Sequence, residues 1–195
     1  MKDFIFIIGT SGVGKTTLAK GLLKHYNSVC IEQWMIPEFF SRNGTEEMTG
    51  ILEELTCYEN QKAMLFCFNK LGYKNIIASD FDDLRTRDIP KDFKGYKFIT
   101  IKLICSDIKQ LKLQMKNRPN GGLIDYELQE KANNKIMNRD LLVNEIELDI
   151  TRLSTEEVLH KAIRIIDNIS IIEDYDYKKP NKDKFYSWVF ENKLR

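Results

Sequence analysis

The chain has 195 residues, 43% hydrophobic and 30% charged, with a formal net charge of +1. That composition suits one globular domain able to bury about 70% of its extended surface. The near-zero charge leaves no basic excess to drive counterion release from a polyanion, and no apolar stretch is long enough to span a bilayer.

Lys2-Asp3 is followed by only five apolar residues before glycines begin, too few for the apolar region of a signal peptide. Cys30, Cys57, Cys67 and Cys105 lack the C-x-x-C pairing of a zinc or redox site. Cys30 and Cys105 lie in apolar runs and read as core residues. Free thiols in a chain of this size lead us to expect a reducing, cytoplasmic setting.

The run Phe4-Ile5-Phe6-Ile7-Ile8 predicts a buried first strand over residues 3–8. Directly after it stands Gly9-Thr10-Ser11-Gly12-Val13-Gly14-Lys15-Thr16, a complete G-x-x-x-x-G-K-T loop, and Thr17-Leu18-Ala19-Lys20 continues into a helix ending near residue 26. Its glycines let successive N–H groups converge on one anion, and the helix N-terminus adds partial positive charge behind the same oxygens. Lys15 is placed to reach the β- and γ-phosphates and the Thr16 hydroxyl to ligate Mg²⁺. We expect a nucleoside triphosphate and Mg²⁺ to bind here.

A short second strand at residues 28–31 ends at Glu32. A helix is expected from about residue 45 to 71, with Ile51, Leu55, Tyr58, Leu65 and Phe68 near helical spacing and Gly72 as its C-terminal cap. The third strand, residues 75–79, closes on Asp80. A short charged helix is expected at 82–88, stopped by Pro90. The fourth strand, 96–105, leads through a Ser106 cap into a helix with Ile108, Leu111 and Met115 on one face. Arg118-Pro119-Asn120-Gly121-Gly122 reads as a loop, followed by a helix at 125–140. The fifth strand, 145–150, alternates apolar and charged residues, as an edge strand does. Ser154-Thr155-Glu156-Glu157 then forms a capping box for a last helix.

Alternation of strands and helices argues a parallel sheet covered on both faces. Phosphate loops serve switches, motors and kinases alike. No N-K-x-D motif for reading guanine is present: Asn69-Lys70-Leu71-Gly72 lacks the Asp. Asp92-Phe93-Lys94-Gly95 matches the letters of a D-x-x-G switch motif but follows no buried strand.

Five strands, the loop after the first, and an arginine-bearing insertion between the fourth and fifth resemble the P-loop kinases of small molecules, the group holding nucleoside-monophosphate, shikimate and gluconate kinases. The resemblance covers about residues 1–170, and only the loop is a specific motif. It implies a three-layer α/β/α domain over residues 1–173. The sheet would be five-stranded and parallel, in the order 2-3-1-4-5, with a helical lid at about 117–140 and an acceptor pocket above strands two and three.

Asp80 would then hold magnesium through water or polarise the acceptor, with Asp82 as its substitute; alternatively Asp80 merely begins a turn. Glu32 is a candidate acceptor-binding group or base, or else a loop glutamate. Glu32-Gln33-Trp34 weakly resembles the Glu and Trp of deoxynucleoside kinases at a shorter spacing. Arg85 and Arg87 lie where an acceptor phosphate or carboxylate would sit, and their planar forks suit such groups. Arg118 and Arg139 bracket the lid and would neutralise charge on the transferred group, although this lid carries one arginine where many carry two. Arg152 lies where such kinases contact adenine.

Residues 174–195 change composition to Asp, Tyr, Lys and Pro. Aromatics among lysines there could bind nucleic acid, but the apolar stripe Phe185, Trp188 and Val189 favours docking on the domain or a subunit contact. The expectation is therefore an ATP-dependent phosphotransferase with a small-molecule acceptor, a monomer or homodimer without a membrane partner. The alternatives are a nucleic-acid 5′-hydroxyl kinase or RNA-modifying ATPase, and a non-catalytic nucleotide sensor.

Overall fold

The computed structural model describes residues 1–37, 50–79, 83–117 and 125–178, together with 182, 187 and 191. In chain order these form β1 (Phe4–Ile8), α1 (Lys15–Tyr26), β2 (Cys30–Glu32), a 3₁₀ turn (Gln33–Met35), α2 (Gly50–Lys70), β3 (Ile76–Ser79), α3 (Asp83–Thr86) and α4 (Ile89–Asp92). They continue with β4 (Phe98–Ile104), α5 (Ile108–Lys116), α6 (Tyr126–Met137), β5 (Glu145–Asp149) and α7 (Thr155–Asn168).

β1 is buried at every position because both its faces are covered. Phe4 and Phe6 join Tyr58, Leu65, Ile89, Phe93 and Phe98 on one side of the sheet. Ile5 and Ile7 join Leu18, Leu22, Leu111, Ala162 and Ile166 on the other. α2 and α4 thus cover the aromatic face, and α1, α5 and α7 the aliphatic one. All pairings are parallel, in the order β2-β3-β1-β4-β5 that the resemblance implies. β5 lies at the edge, with Glu147 exposed.

Local chemistry explains most element ends. Gly72, at φ 92°, closes α2: its N–H donates to the Asn69 carbonyl and that of Tyr73 to the Phe68 carbonyl, a Schellman turn. The Ser154–Glu157 capping box is present at α7. Two expectations change. Pro90 does not stop a helix but stands in the first turn of α4, where a missing N–H costs nothing. Asp107, not Ser106, caps α5, accepting from the N–H groups of Lys109 and Gln110 at 2.9 and 3.3 Å. Ser106 instead donates its hydroxyl to Asp149 on the edge strand.

Three asparagines, Asn27, Asn75 and Asn144, take left-handed backbones just before β2, β3 and β5. Asn75 Oδ1 accepts from the Lys2 N–H at 2.9 Å. The Asn144 side chain pairs with the Ile172 backbone in both directions, at 2.9 and 3.0 Å. Beyond it, Tyr175 donates its hydroxyl to the Pro90 carbonyl at 2.6 Å, and Lys182 pairs with Asp88. The described part of the C-terminal segment therefore lies against α4. Residues 45–49 of the expected long helix, 118–124 of the expected lid, and Phe185, Trp188 and Val189 fall outside the described residues.

Candidate active site

β1, β3 and β4 end on the same edge of the sheet, and the glycine loop springs from the middle of it. Gly9 has φ 147°, and a Cβ there would stand 2.6 Å from the Leu103 carbonyl oxygen and 2.7 Å from Val13 Cγ1. Gly12 has φ 86°, and a Cβ there would stand 2.5 Å from Met115 Cγ. Both positions thus admit glycine alone, for conformation and for space. Gly14 ends the loop as the N-cap of α1. It offers no side-chain cap, and the first turn of α1 carries no acidic residue, so the positive end of the helix meets whatever the loop holds.

Lys15 Nζ donates to the Thr10 carbonyl at 3.2 Å, folding the ammonium over the loop. The Thr10 hydroxyl donates to Gln129 Oε1 at 2.8 Å, and the Ser11 N–H to the same oxygen at 3.2 Å. A cleft of about 730 Å³ runs from Gly12, Val13, Gly14, Lys15, Thr16 and Thr17 to Leu113, Ile150, Leu153 and Val158. Its polar end is the loop, and its far end sets Leu113, Ile150, Leu153 and Val158 beside Gln110, Gln114, Asn117 and Thr155, an apolar surface with polar groups around it that suits a nucleotide. Thr16, in the first turn of α1, brings a hydroxyl oxygen to this lining, a hard donor of the kind magnesium takes.

At the end of β2, Glu32 is only 3% exposed. Its Oε1 accepts from Ser79 Oγ at 3.0 Å and its Oε2 from Trp34 Nε1 at 2.6 Å. Gln61 of α2 donates to the Ser79 carbonyl at 3.2 Å, tying the helix to the same strand end. Glu32 is therefore a buried, donor-held carboxylate rather than a solvated loop residue.

Arg85 on α3 is buried, with one guanidinium nitrogen 3.6 Å from Asp88 and no hydrogen-bond partner at Nε among the described residues. Arg87 nearby is half-buried. Asp80, Asp82 and Arg118 lie outside the described residues.

Two expected site residues are found away from the cleft lining. The Arg139 guanidinium grips Glu145 through two bonds of 2.6 Å. Glu145 is fully buried at the start of β5, and a buried carboxylate needs a counter-charge. Arg152 does not line the cleft: a left-handed backbone at φ 59° leaves it exposed, and Leu153 faces the cleft instead.

Gln129 and Asn133 escaped the sequence reading. They lie one turn apart on α6, both buried beside Ile136, and the signal available was a helical face carrying two amides. Asp149 also acquires a role: burial alone would raise its pKa, but hydrogen bonds from Ser106 and Thr151 outweigh that and hold it below the usual carboxylate range.

No protein-family profile matches the chain, and no curated protein matches it. Solved structures do. A sugar kinase from Janibacter sp. HTCC2649 superposes with a TM-score of 0.62 at 17% identity, over 86% of this chain and 95% of that one. A gluconokinase from Sinorhizobium meliloti 1021 gives 0.61 at 12% identity, over 84% and 90%. Thymidylate kinase from Candida albicans gives 0.55 at 17% identity, over 84% and 90%. The chain has the fold of the P-loop kinases of small molecules. Among the described residues no helix is long and apolar enough to cross a membrane.

Proposed function

We propose that the chain is an ATP- and Mg²⁺-dependent phosphotransferase acting on a small-molecule acceptor: a nucleoside, a nucleoside monophosphate or a small hydroxy metabolite. The observation that carries this reading is the loop itself: Gly9 to Thr17 at the end of β1, with Lys15 folded over it and an open cleft leading to an aliphatic wall. The loop amides and the start of α1 would take the phosphates. Leu113, Ile150, Leu153 and Val158 would face the base.

In the reaction, the acceptor oxygen bonds to the γ-phosphorus while the bond from that phosphorus to the β,γ-bridging oxygen breaks. ADP leaves with the electron pair, and where the acceptor is a hydroxyl its proton passes to a carboxylate or to solvent. Lys15 offsets charge on the transferring group. Thr16, with Asp80 from beyond β3, would hold magnesium, which when bound neutralises charge across the β- and γ-oxygens. Glu32 sits at the end of β2 with both oxygens committed to donors, which suits fixed recognition of an acceptor group. Arg85, buried with no partner at Nε among the described residues, suits an anionic group on the acceptor.

The test is magnesium-dependent ADP release from ATP across nucleosides, nucleoside monophosphates and small hydroxy acids, with Lys15→Ala as control. Stimulation by one acceptor class, absent in the control, supports the reading. A flat panel despite ATP binding would instead favour a nucleotide sensor or a nucleic-acid acceptor.

A further inference from the structure

We propose that Gln129 is the residue through which α6 sets the phosphate loop and holds the terminal phosphate of a bound triphosphate, an inference that rests on the phosphotransferase reading above. Gln129 Oε1 accepts from the Thr10 hydroxyl at 2.8 Å and from the Ser11 N–H at 3.2 Å. A backbone N–H only donates, so the carboxamide is oriented unambiguously: its oxygen meets the loop, and its Nε2 keeps two donor hydrogens for another partner.

The arm that carries it is fixed. One turn along α6, Asn133 pairs with the backbone of Cys105 just past β4, donating to its carbonyl at 2.8 Å and accepting from its N–H at 3.4 Å. At the end of the helix, buried Lys102 donates to the Ile136 carbonyl at 3.1 Å. Gln129 is thus held in place before any ligand arrives.

Its position also names the ligand atom. The aliphatic wall that suits a base lies at Leu113, Leu153 and Val158, and the cleft reaches the loop at Gly12 to Thr17. Thr10 and Ser11 stand outside that cleft lining, and Lys15 Nζ points to Thr10. A triphosphate laid along the cleft puts its last phosphate farthest from the base, at the Thr10–Ser11 end, beside Gln129. A neutral amide there donates to phosphoryl oxygens at a point where Arg139, committed to Glu145, does not reach.

The test compares ATP and ADP binding to the full chain, with magnesium and without acceptor, in wild type, Gln129→Ala and Gln129→Glu, beside turnover and thermal midpoint. ADP affinity is expected to stay within about twofold, while ATP affinity falls about five- to tenfold in Gln129→Ala and further in Gln129→Glu, whose carboxylate opposes the terminal phosphate, with kcat down at least about tenfold. Equal losses for both nucleotides leave Gln129 as a loop-setting residue alone and overturn its hold on the terminal phosphate; no loss for either overturns both roles. The phosphotransferase reading stands in each case if Lys15→Ala still abolishes turnover. A wild-type chain that binds neither nucleotide overturns both. Gln129→Glu, nearly the same size, decides the matter if the alanine variant does not fold.

Discussion

Ser79 and Glu32 face one another across the β2–β3 register, and the serine hydroxyl donates to the buried carboxylate at 3.0 Å. Trp34 donates to the other oxygen, so the carboxylate is held from two sides. Glu32→Gln can keep both contacts, its oxygen accepting from the indole and its amide donating to the serine oxygen. It should cost less than about 1 kcal/mol, whereas Glu32→Ala strands both donors at about 1–3 kcal/mol. Chemical denaturation measures the difference. If Glu32 recognises the acceptor, Glu32→Gln also loses turnover without losing stability.

Gly12 separates two costs. Gly12→Ala places a methyl group 2.5 Å from Met115 Cγ and forces an L residue to φ 86°. We expect a loss of about 1–3 kcal/mol in stability together with loss of nucleotide binding. Adding Met115→Ala removes the clash but not the backbone strain. Partial recovery in the double variant is therefore the expected result, and full recovery would show that strain contributes nothing.

Arg139 and Glu145 form a buried pair with side chains 8% and 0% exposed. Arg139→Met should destabilise by about 3–5 kcal/mol because it leaves a buried carboxylate alone, and Glu145→Met in the same chain should recover most of that. The double variant also tests the assignment of Arg139 to structure. It should transfer phosphate at nearly the wild-type rate, and an inactive but stable double variant would return Arg139 to the lid.

Asp149 sets an acid limit. Its folded pKa is depressed below the ordinary 3.8, so it contributes stability above that pH and loses it as pH falls through the folded value. Asp149→Asn should flatten the acid limb of stability below about pH 4, measured by acid titration of the thermal midpoint. An unchanged acid limb would mean that the Ser106 and Thr151 bonds survive in the unfolded chain or matter little.

Much of this architecture was legible in the residues. β1 and β3 are continuous apolar runs because both faces of a central strand are covered, and β5 alternates because it ends the sheet. Capping boxes and glycine ends are local chemistry, visible within a few residues. Pro90 misled because a proline serves a helix start as readily as an end. The pairing of Arg139 with Glu145 was not legible because burial at Glu145 selects it, which spacing does not reveal. Gln129 stayed hidden because its partners Thr10 and Ser11 lie 119 and 118 residues away in sequence.

The left-handed asparagines Asn27, Asn75 and Asn144 precede their strands, at the edge of the sheet opposite the glycine loop, and two of them tie down the N-terminus and the chain after α7. The amino ends of β3 and β5 are thus pinned by asparagines that carry both the turn and the tie, so replacing either of them removes a left-handed backbone position and a chain anchor at the same stroke.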